Sequence, residues 1–319
     1  MALAANLRQY FPPRHIQQME DDLASLSRFW DEGPWGWSLA TKQRYRRMGI
    51  PESELPSDEW LAEVRRLTSR EFGVKYYQEM DNFYRNNYRD YKDNGLVSCQ
   101  AQFCTTFDEV KLYIIHSCHA ALCKPANWSD KLYITKAPWS SSGRGNIVVR
   151  SPLDEKQEGS RIKRIIREQG GIVVEPFYEN KVLDFAMEFW VDGNATQFLG
   201  FSVFSTDETG HYRGNYVESQ EQLLKRINVP KELLDSLIDY HKRELSLLSY
   251  HGPVGIDMML LSDGRLHPCV EINFRMTMGL LAILLYEKGI TSDQWLSPYR
   301  PQGFTAGICE GCLTIGYHR

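Results

Sequence analysis

The chain has 319 residues, of which 42% are hydrophobic and 24% charged, so its composition excludes a disordered, collagen-like or wholly coiled-coil protein. The 37 Lys and Arg residues against 41 Asp and Glu residues leave a formal net charge of −4, which is not typical of proteins that bind nucleic acid or anionic membranes. The length suits about two domains.

The start of the chain and its cysteines favour a cytoplasmic protein. Asn6, Arg8 and Gln9 interrupt the first apolar stretch, so we expect no secretory signal. There is no run of about 18 uncharged apolar residues, so we expect no membrane-spanning helix. The 7 cysteines are an odd number, which favours reduced thiols. Cys309 and Cys312 form a C-x-x-C pair, for which free thiols are favoured over a zinc site.

The first 95 residues are predicted to form helices and loops. Apolar residues recur at helical spacing from Ile16 to Trp30, and Gly and Pro break this pattern over 31–37. A helix is expected to begin after Ser57. Aromatic residues between Tyr76 and Tyr91 predict another helix packed on a core, and Gly95 marks a domain boundary.

Trp35 and Trp37, with a glycine between them, lie in the interrupted stretch that follows the first predicted helix. Tryptophans in such a loop are most often buried anchors that pack the loop onto the core. The alternative is that both line a pocket.

From residue 96 the pattern becomes one of mixed helices and strands. Asp192-Gly193 and Asp263-Gly264 each separate two β-rich runs and predict hairpin turns. Other predicted strands are 132–137, 146–150 and 172–178, and the predicted helices are 161–171, 220–250 with an interruption at Pro230, and 278–289.

The second hairpin carries the strongest chemical signal. Glu271 and Asn273 lie two residues apart on one strand and therefore project from the same face. Asp257 lies on the neighbouring strand, and Arg275 continues the face. Two carboxylates, an amide oxygen and an arginine on one sheet face are suited to hold Mg²⁺ against phosphate. A solvated polar strand face is the alternative.

Two weaker signals precede this hairpin. A predicted strand delivers Lys136 to a loop of small residues over 140–145, whose N–H groups could approach phosphate oxygens, although a mobile hairpin loop is about as well supported. A second β run ends in Glu175, Phe177 and Tyr178, which are suited to a flat base, and Asp184 follows where a ribose could bind.

The order of these three parts, a lysine and Ser/Gly loop, then E-P-F, then D…E-x-N-x-R, resembles the ATP-grasp superfamily over about residues 98–290. The resemblance implies an α+β fold in which two subdomains with antiparallel sheets grip ATP. It implies phosphate contacts from Lys136, Ser140, Ser141, Ser142 and Gly143, and adenine and ribose contacts from Glu175, Phe177, Tyr178 and Asp184. Asp257, Glu271 and Asn273 would hold one or two Mg²⁺ ions, and Arg275 would steady the transferred phosphoryl group.

The resemblance also divides the chain into an N-terminal region (1–95) and an ATP-grasp domain (96–319), with subdomains 96–178 and 179–319. The N-terminal region stands where the family has a pre-ATP-grasp domain, here reduced or altered, which normally forms part of the substrate site. The family's earlier nucleotide-binding lysine could be Lys111, Lys124 or Lys131, and the sequence leaves the choice open.

The implied activity is ATP- and Mg²⁺-dependent ligation of a carboxylate to an amine, with amino acids or small peptides as the substrate class. A loop over 208–219 is expected to reach the cleft, so that Arg213 binds an acceptor carboxylate or the γ-phosphate, with a plain solvent loop as the alternative. The rival functions are phosphotransfer to a hydroxyl on the same scaffold and non-catalytic nucleotide binding. The expected partners are small molecules, without nucleic acid or membrane, and a homodimer is compatible with this function.

Overall fold

Eight α-helices and two antiparallel sheets form the part of the chain that the computed structural model describes, residues 33–87, 95–120, 132–140, 145–193, 195–207, 212–289, 294–297, 305–310 and 313–317. The helix predicted between Ile16 and Trp30 lies outside these residues. So do the loop residues Ser141, Ser142 and Gly143, the lysine candidates Lys124 and Lys131, and Cys312.

The N-terminal region contributes three helices, α1 (Leu39–Arg47), α2 (Asp58–Leu67) and α3 (Arg70–Asn87). Ser57 begins α2 as predicted, because its hydroxyl accepts a hydrogen bond from the Trp60 N–H at 3.1 Å. The aromatic residues of α3 face inward, which confirms the predicted helix as far as residue 87.

The first sheet has four strands in the order β1-β4-β2-β3, namely β1 (Gln102–Cys104), β2 (Leu132–Lys136), β3 (Asn146–Arg150) and β4 (Ile172–Pro176). Helices α4 (Phe107–Ala120) and α5 (Glu158–Gln169) pack on it, and Ile114 and Ile162 share its core. Gly170 ends α5 in the left-handed region, with φ of 84°, a backbone conformation that glycine adopts without strain.

The second sheet has eight strands in the order β11-β12-β10-β7-β6-β5-β8-β9. They are β5 (Lys181–Asp192), β6 (Ala195–Thr206), β7 (Tyr212–Val217), β8 (His251–Leu261), β9 (Leu266–Asn273), β10 (Gln294–Ser297), β11 (Thr305–Glu310) and β12 (Leu313–Tyr317). The helices of this half are α6 (Gln220–Ile227), α7 (Lys231–Ser246) and α8 (Met278–Glu287).

This architecture confirms the predicted α+β class with two antiparallel sheets. Both hairpins turn where predicted, with Gly193 and Gly264 at positive φ. The interruption of the helical stretch at Pro230 is also confirmed, since α7 begins directly after it. Among the described residues, none of the helices combines the length and apolarity that a bilayer crossing requires.

The expected loop over 208–219 is wrong for half of its length. Residues 212–217 form β7, which pairs with β6 on one side and β10 on the other. The missed strand carries Tyr212, Tyr216 and Val217, whose β propensity is high, but Gly214 and Asn215 disguise the pattern.

A buried carboxylate, Glu188, ties the second sheet to helix α8. The Ser202 hydroxyl donates to one of its oxygens at 2.9 Å, and the Thr277 hydroxyl, which also caps α8, donates to the other at 2.8 Å. Gly255 and Gly279 leave room for this carboxylate, because a Cβ at either position would lie within 2.8 Å of its oxygens. The strand that carries the candidate site therefore leads into a helix whose start is fixed.

Gly279→Ala tests this packing. A Cβ at position 279 would lie 2.1 Å from the Glu188 and Ser202 oxygens, so we expect the substitution to lower the free energy of unfolding by about 2 kcal/mol, as overpacking does. The matched control is Gly73→Ala in α3, where a Cβ meets nothing within 4 Å and helix propensity should add about 0.5–1 kcal/mol. Urea unfolding of both variants measures the difference, and equal effects would contradict the packing.

Glu188→Gln tests the electrostatics of the same residue. Burial raises the pKa of Glu188 from 4.5 to about 7, so the folded state holds the proton more tightly than the unfolded state. The resulting stability is complete below pH 4.5 and is lost as the pH rises through 7. Between these values the wild type should lose about 3 kcal/mol relative to Glu188→Gln, as measured by urea unfolding.

The control for this pH series is Glu221→Gln on the exposed face of α6. Its ion pair with Lys225 lowers the pKa of Glu221, so the wild type should not lose stability relative to this variant over the same interval. A Glu188→Gln profile parallel to that of the wild type would show that Glu188 does not titrate in this range.

Candidate functional site

A narrow cleft lies where the two sheets face each other. The first sheet lines it with Lys136, Val173 and Glu175, and the second sheet lines it with residues 269–272 of β9. Helix α3 closes one side through Arg70 and the residues one and two turns after it. Charged side chains from all three parts of the described chain thus converge in one place.

Lys136 and Glu175 form a buried ion pair on the first sheet. Lys136 is the last residue of β2, and Glu175 lies on β4, the adjacent strand. The Lys136 ammonium contacts a Glu175 carboxylate oxygen, and both side chains are about nine-tenths buried. The sequence indicates each of the two residues separately, and the structure places them in contact.

Arg70 connects the three parts of the cleft. One end of its guanidinium donates to the Ala137 carbonyl at 2.6 Å and to the Ser140 hydroxyl at 2.5 Å, both just after β2. The other end donates to Glu271 on β9 at 2.9 Å. The Arg70 backbone N–H donates to the Pro138 carbonyl at 3.0 Å. The start of α3 is therefore fixed to both sheets.

The residues expected to bind Mg²⁺ share one face of the second sheet. Asp257 pairs directly with Glu271 across β8 and β9, and Asn273 is two residues further along. The Asn273 amide donates to Asp257 at 3.1 Å, and its oxygen accepts from Arg275 at 2.9 Å. The geometry that the spacing predicts is present, whereas metal binding by these residues stays a prediction.

The two carboxylates of this face have opposite pKa shifts. Burial, and then the charges of Glu271 and Glu188, raise the pKa of Asp257 well above its usual value. Burial acts in the same direction on Glu271, but Arg70, Lys136 and Arg275 outweigh it and lower the pKa of that carboxyl. Glu271 is therefore ionised in the folded protein, while ionising Asp257 requires additional positive charge.

This arrangement fits a hard divalent cation. The facing oxygens come from two carboxylates and one amide, which are the ligand types that Mg²⁺ prefers. A cation would offset the cost of ionising Asp257, which is partly buried and lies near two other carboxylates. Within the described ranges, no group of three or more His, Cys, Asp or Glu side chains is placed to bind a metal, so the set depends on the amide of Asn273.

The residues expected to contact adenine and ribose are partly engaged within the protein. The Phe177 N–H donates to the Leu132 carbonyl at 3.0 Å, so it is used by the first sheet. Tyr178 packs its ring edge-on against His267, with centroids 5.6 Å apart. Asp184 accepts from Lys181 at 2.6 Å and from Thr206 at 2.7 Å. Their contacts with a nucleotide stay predictions.

The structure does not bring two other candidates into this group of charges. Arg213 lies on β7, is exposed, and pairs with Asp207 at 2.9 Å. Lys111 lies on α4, where it pairs with Asp108 at 2.8 Å and extends over the Phe107 ring. The described contacts of both residues are thus with neighbours on the surface.

Sequence reasoning missed Arg70. The sequence predicts a helical N-terminal region that stands where the family forms part of the substrate site, but no motif distinguishes Arg70 from the 36 other Lys and Arg residues. The available signal is weak, a basic residue in the first turn of a predicted helix, where the helix dipole disfavours positive charge.

No protein-family model matches the chain. Among solved structures it is similar to N5-carboxyaminoimidazole synthetase from Staphylococcus aureus complexed with ADP, with a TM-score of 0.43 and 10% identity over 73% of this chain and 57% of that one. It is also similar to an L-amino acid ligase from Bacillus licheniformis, with a TM-score of 0.46 and 14% identity over 84% and 62%.

A third similar structure is D-alanyl-alanine synthetase A from Vibrio cholerae, with a TM-score of 0.39 and 15% identity over 60% of this chain and 55% of that one. The chain thus spans 55–62% of the length of these three proteins. The TM-scores of these three similarities are all below 0.5, so the similarities carry no argument about function. The function proposed below is argued from the residues of this chain.

Arg70→Met tests the junction of the cleft. The substitution leaves Glu271 with fewer positive neighbours and removes the link to Ala137 and Ser140, so we expect the free energy of unfolding to fall by about 3 kcal/mol. Arg66→Met is the matched control, because Arg66 pairs with Glu63 on the exposed side of α2 and should cost less than about 1 kcal/mol. Urea unfolding in EDTA measures both, and similar losses would contradict a structural role for Arg70.

Proposed function

We propose that this protein is an ATP- and Mg²⁺-dependent ligase that activates a carboxylate and joins it to an amine, with an amino acid or small peptide as substrate. The observation that carries the proposal is the convergence of Lys136, Arg70 and Arg275 with the Asp257, Glu271 and Asn273 face. The cationic side chains can bind phosphate oxygens, and they lie next to the side-chain oxygens that can bind Mg²⁺. A complex of a nucleotide with Mg²⁺ requires both kinds of group side by side.

The residues of the first sheet are assigned to the nucleotide. Lys136 supplies a point charge for phosphate once its pair with Glu175 opens, and Glu175 then becomes available to an adenine amino group. The small residues after β2 close over the phosphates, and Ser140 already lies within reach of Arg70. Phe177 and Tyr178 supply apolar contacts for the base, and Asp184 binds the ribose.

The residues of the second sheet are assigned to the metal and the reacting groups. Asp257, Glu271 and Asn273 would hold one or two Mg²⁺ ions, which neutralise phosphate charge and orient the transferred group. Arg275 would stabilise the charge that develops on the phosphoryl group. Arg213, by contrast, would need its segment to turn towards the cleft before it could bind an acceptor carboxylate.

The proposed reaction needs positioning more than a side-chain nucleophile. The substrate carboxylate oxygen attacks the γ-phosphorus and ADP leaves, which gives an acyl phosphate. The amine nitrogen then attacks the carbonyl carbon, phosphate leaves, and the nitrogen loses a proton. Arg70 and Arg275 serve this sequence by orienting anionic groups in a partly buried cleft where water is limited.

Two other functions remain as alternatives within the same site. A phosphotransferase would move the γ-phosphoryl group to a hydroxyl, and a non-catalytic protein would bind the nucleotide alone. The carboxylate and amine are small molecules, and we propose a cytoplasmic protein without nucleic-acid or membrane partners, for which a homodimer is compatible.

Glu271→Gln tests the proposal through nucleotide binding. A ligand that binds the native state alone stabilises it by about 2.7 kcal/mol at 100 times its Kd, so a non-hydrolysable ATP analogue should raise the melting temperature of the wild type. The rise should require Mg²⁺, because the proposed site binds the nucleotide together with the metal. The variant should lose most of this rise, since its amide cannot supply the carboxylate charge. Asp263→Asn, an exposed carboxylate at the turn of the same hairpin, is the control and should respond as the wild type does.

Phosphate release then separates the alternatives. Release that requires both a carboxylate and an amine supports the ligase, whereas a phosphorylated hydroxyl product supports the phosphotransferase. If the analogue at millimolar concentration leaves the wild-type melting temperature unchanged with Mg²⁺, the nucleotide site itself is wrong.

A further inference from the structure

A second cavity, lined by aromatic side chains, lies beside the candidate site. Its empty space is about 610 Å³ when the open solvent at its mouth is counted. Its main lining residues are Trp35, Trp37, Trp60, Trp190, Tyr250 and Arg275. Four of the chain's 8 tryptophans thus surround one cavity.

The aromatic rings form a built wall. Trp60 of α2 stacks on Tyr250, with centroids 6.0 Å apart and planes inclined by 14°, and Tyr250 packs edge-on against Phe274 at 5.0 Å. Trp190 on β5 lies next to His251, at 6.2 Å between ring centroids. Only part of each tryptophan is buried, so the rings keep surface towards the cavity.

The segment 33–37 completes the wall from the N-terminal side. The Trp35 carbonyl accepts a hydrogen bond from the Met276 N–H at 2.8 Å. A Cβ at Gly36 would lie 3.1 Å from the Arg275 Cβ, so this segment packs closely against the strand end that bears Arg275. Trp35 and Trp37 therefore line a pocket, the alternative that the sequence left open, rather than serving only as buried anchors.

The charge of the cavity limits what it can hold. Arg275 is cationic, and the described lining contains no Asp or Glu. His251 at the mouth pairs with Asp192 at 3.2 Å and is exposed. An aromatic cage for an ammonium group would place that cation next to Arg275, which electrostatics disfavours. A ligand with an aromatic group and an anion matches both the rings and the arginine.

Arg275 also joins the cavity to the cleft. Its guanidinium donates to the Asn273 oxygen at 2.9 Å and to the Met276 carbonyl at 2.9 Å. An arginine has five N–H donors, so a carboxylate can still be bound beside these two contacts. An anion held there would lie next to the face formed by Asp257, Glu271 and Asn273.

We propose that this cavity binds a carboxylate that bears an aromatic side chain, with the ring among the tryptophans and the carboxylate at Arg275. The assignment of this ligand as the carboxylate that is activated rests on the proposed function, whereas the binding itself does not.

Calorimetric titration of the full chain without nucleotide tests the binding. The probes are 3-phenylpropionate, propionate, which lacks the ring, and 2-phenylethylamine, which replaces the anion by a cation. We expect 3-phenylpropionate to bind at least tenfold more tightly than either of the others. Equal binding of all three, no binding of 3-phenylpropionate, or preference for the amine would overturn the proposal.

Variants locate the binding in this cavity. Trp190→Leu and Trp37→Leu should each raise the Kd of 3-phenylpropionate about threefold to tenfold, the usual effect of losing one aromatic contact. Trp139→Leu is the matched control, because Trp139 packs under Arg65 at 4.6 Å, outside the lining, and should leave the Kd unchanged. Unchanged affinity in both pocket variants would contradict the location, and if neither folds, the wild-type probe series decides.

A second titration, of an ATP analogue with Mg²⁺, separates this inference from the proposed function. If the protein binds the analogue but does not bind 3-phenylpropionate, the aromatic site is refuted and the nucleotide site is retained. If the protein binds 3-phenylpropionate but does not bind the analogue, the aromatic site is supported and the ligase is refuted.

Discussion

The contacts of one guanidinium, that of Arg70, hold the described parts of the cleft together. Arg70 begins α3, its side chain reaches the end of β2 through Ala137 and Ser140, and it pairs with Glu271 on β9. Removing Glu271 would leave the buried Arg70 guanidinium without its ion-pair partner, which is costly in a protein interior. Removing the contacts to β2 would leave guanidinium N–H donors without their acceptors. The same contact sets the charge of the site, because Arg70 is the first of the groups that keep Glu271 ionised.

The two carboxylates of the candidate site differ in how well their negative charge is compensated. Glu271 is balanced by cations, whereas Asp257, directly across the strands, is partly buried and lies near the carboxylates of Glu271 and Glu188. The protein therefore holds an acidic group whose ionisation lowers its own stability, a common feature of functional sites. Glu188 adds a second such group while fixing the start of α8. Bound positive charge would relieve Asp257 first.

The features that can be predicted from the sequence are those determined by interactions between residues close together in the chain. Asp-Gly turns fix both hairpins, and the two-residue period places Glu271 and Asn273 on one face, because both effects act within a few residues. Arg70 pairs with a residue 201 positions away, and no local pattern reports such a contact. The sequence pattern does not predict strand β7, because its Gly and Asn residues do not favour a strand and the pairing with β6 and β10 stabilises it instead. The sequence indicates Lys136 and Glu175 individually, but their ion pair depends on the order of the strands in the first sheet, which no local pattern specifies.

The N-terminal region contributes to both cavities, and the strand end at 273–275 connects them. Helix α3 supplies Arg70 to the cleft, while the 33–37 segment and Trp60 line the aromatic cavity. Arg275, which donates a hydrogen bond to Asn273, lies between the face of Asp257, Glu271 and Asn273 and the tryptophans of the aromatic cavity. A cation that binds the Asn273 oxygen would draw it away from Arg275, and one Arg275 N–H donor would then be available to a ligand in the aromatic cavity. Occupation of the cleft by a cation is thereby expected to favour occupation of the aromatic cavity by an anion, because it frees one more Arg275 N–H donor for that anion.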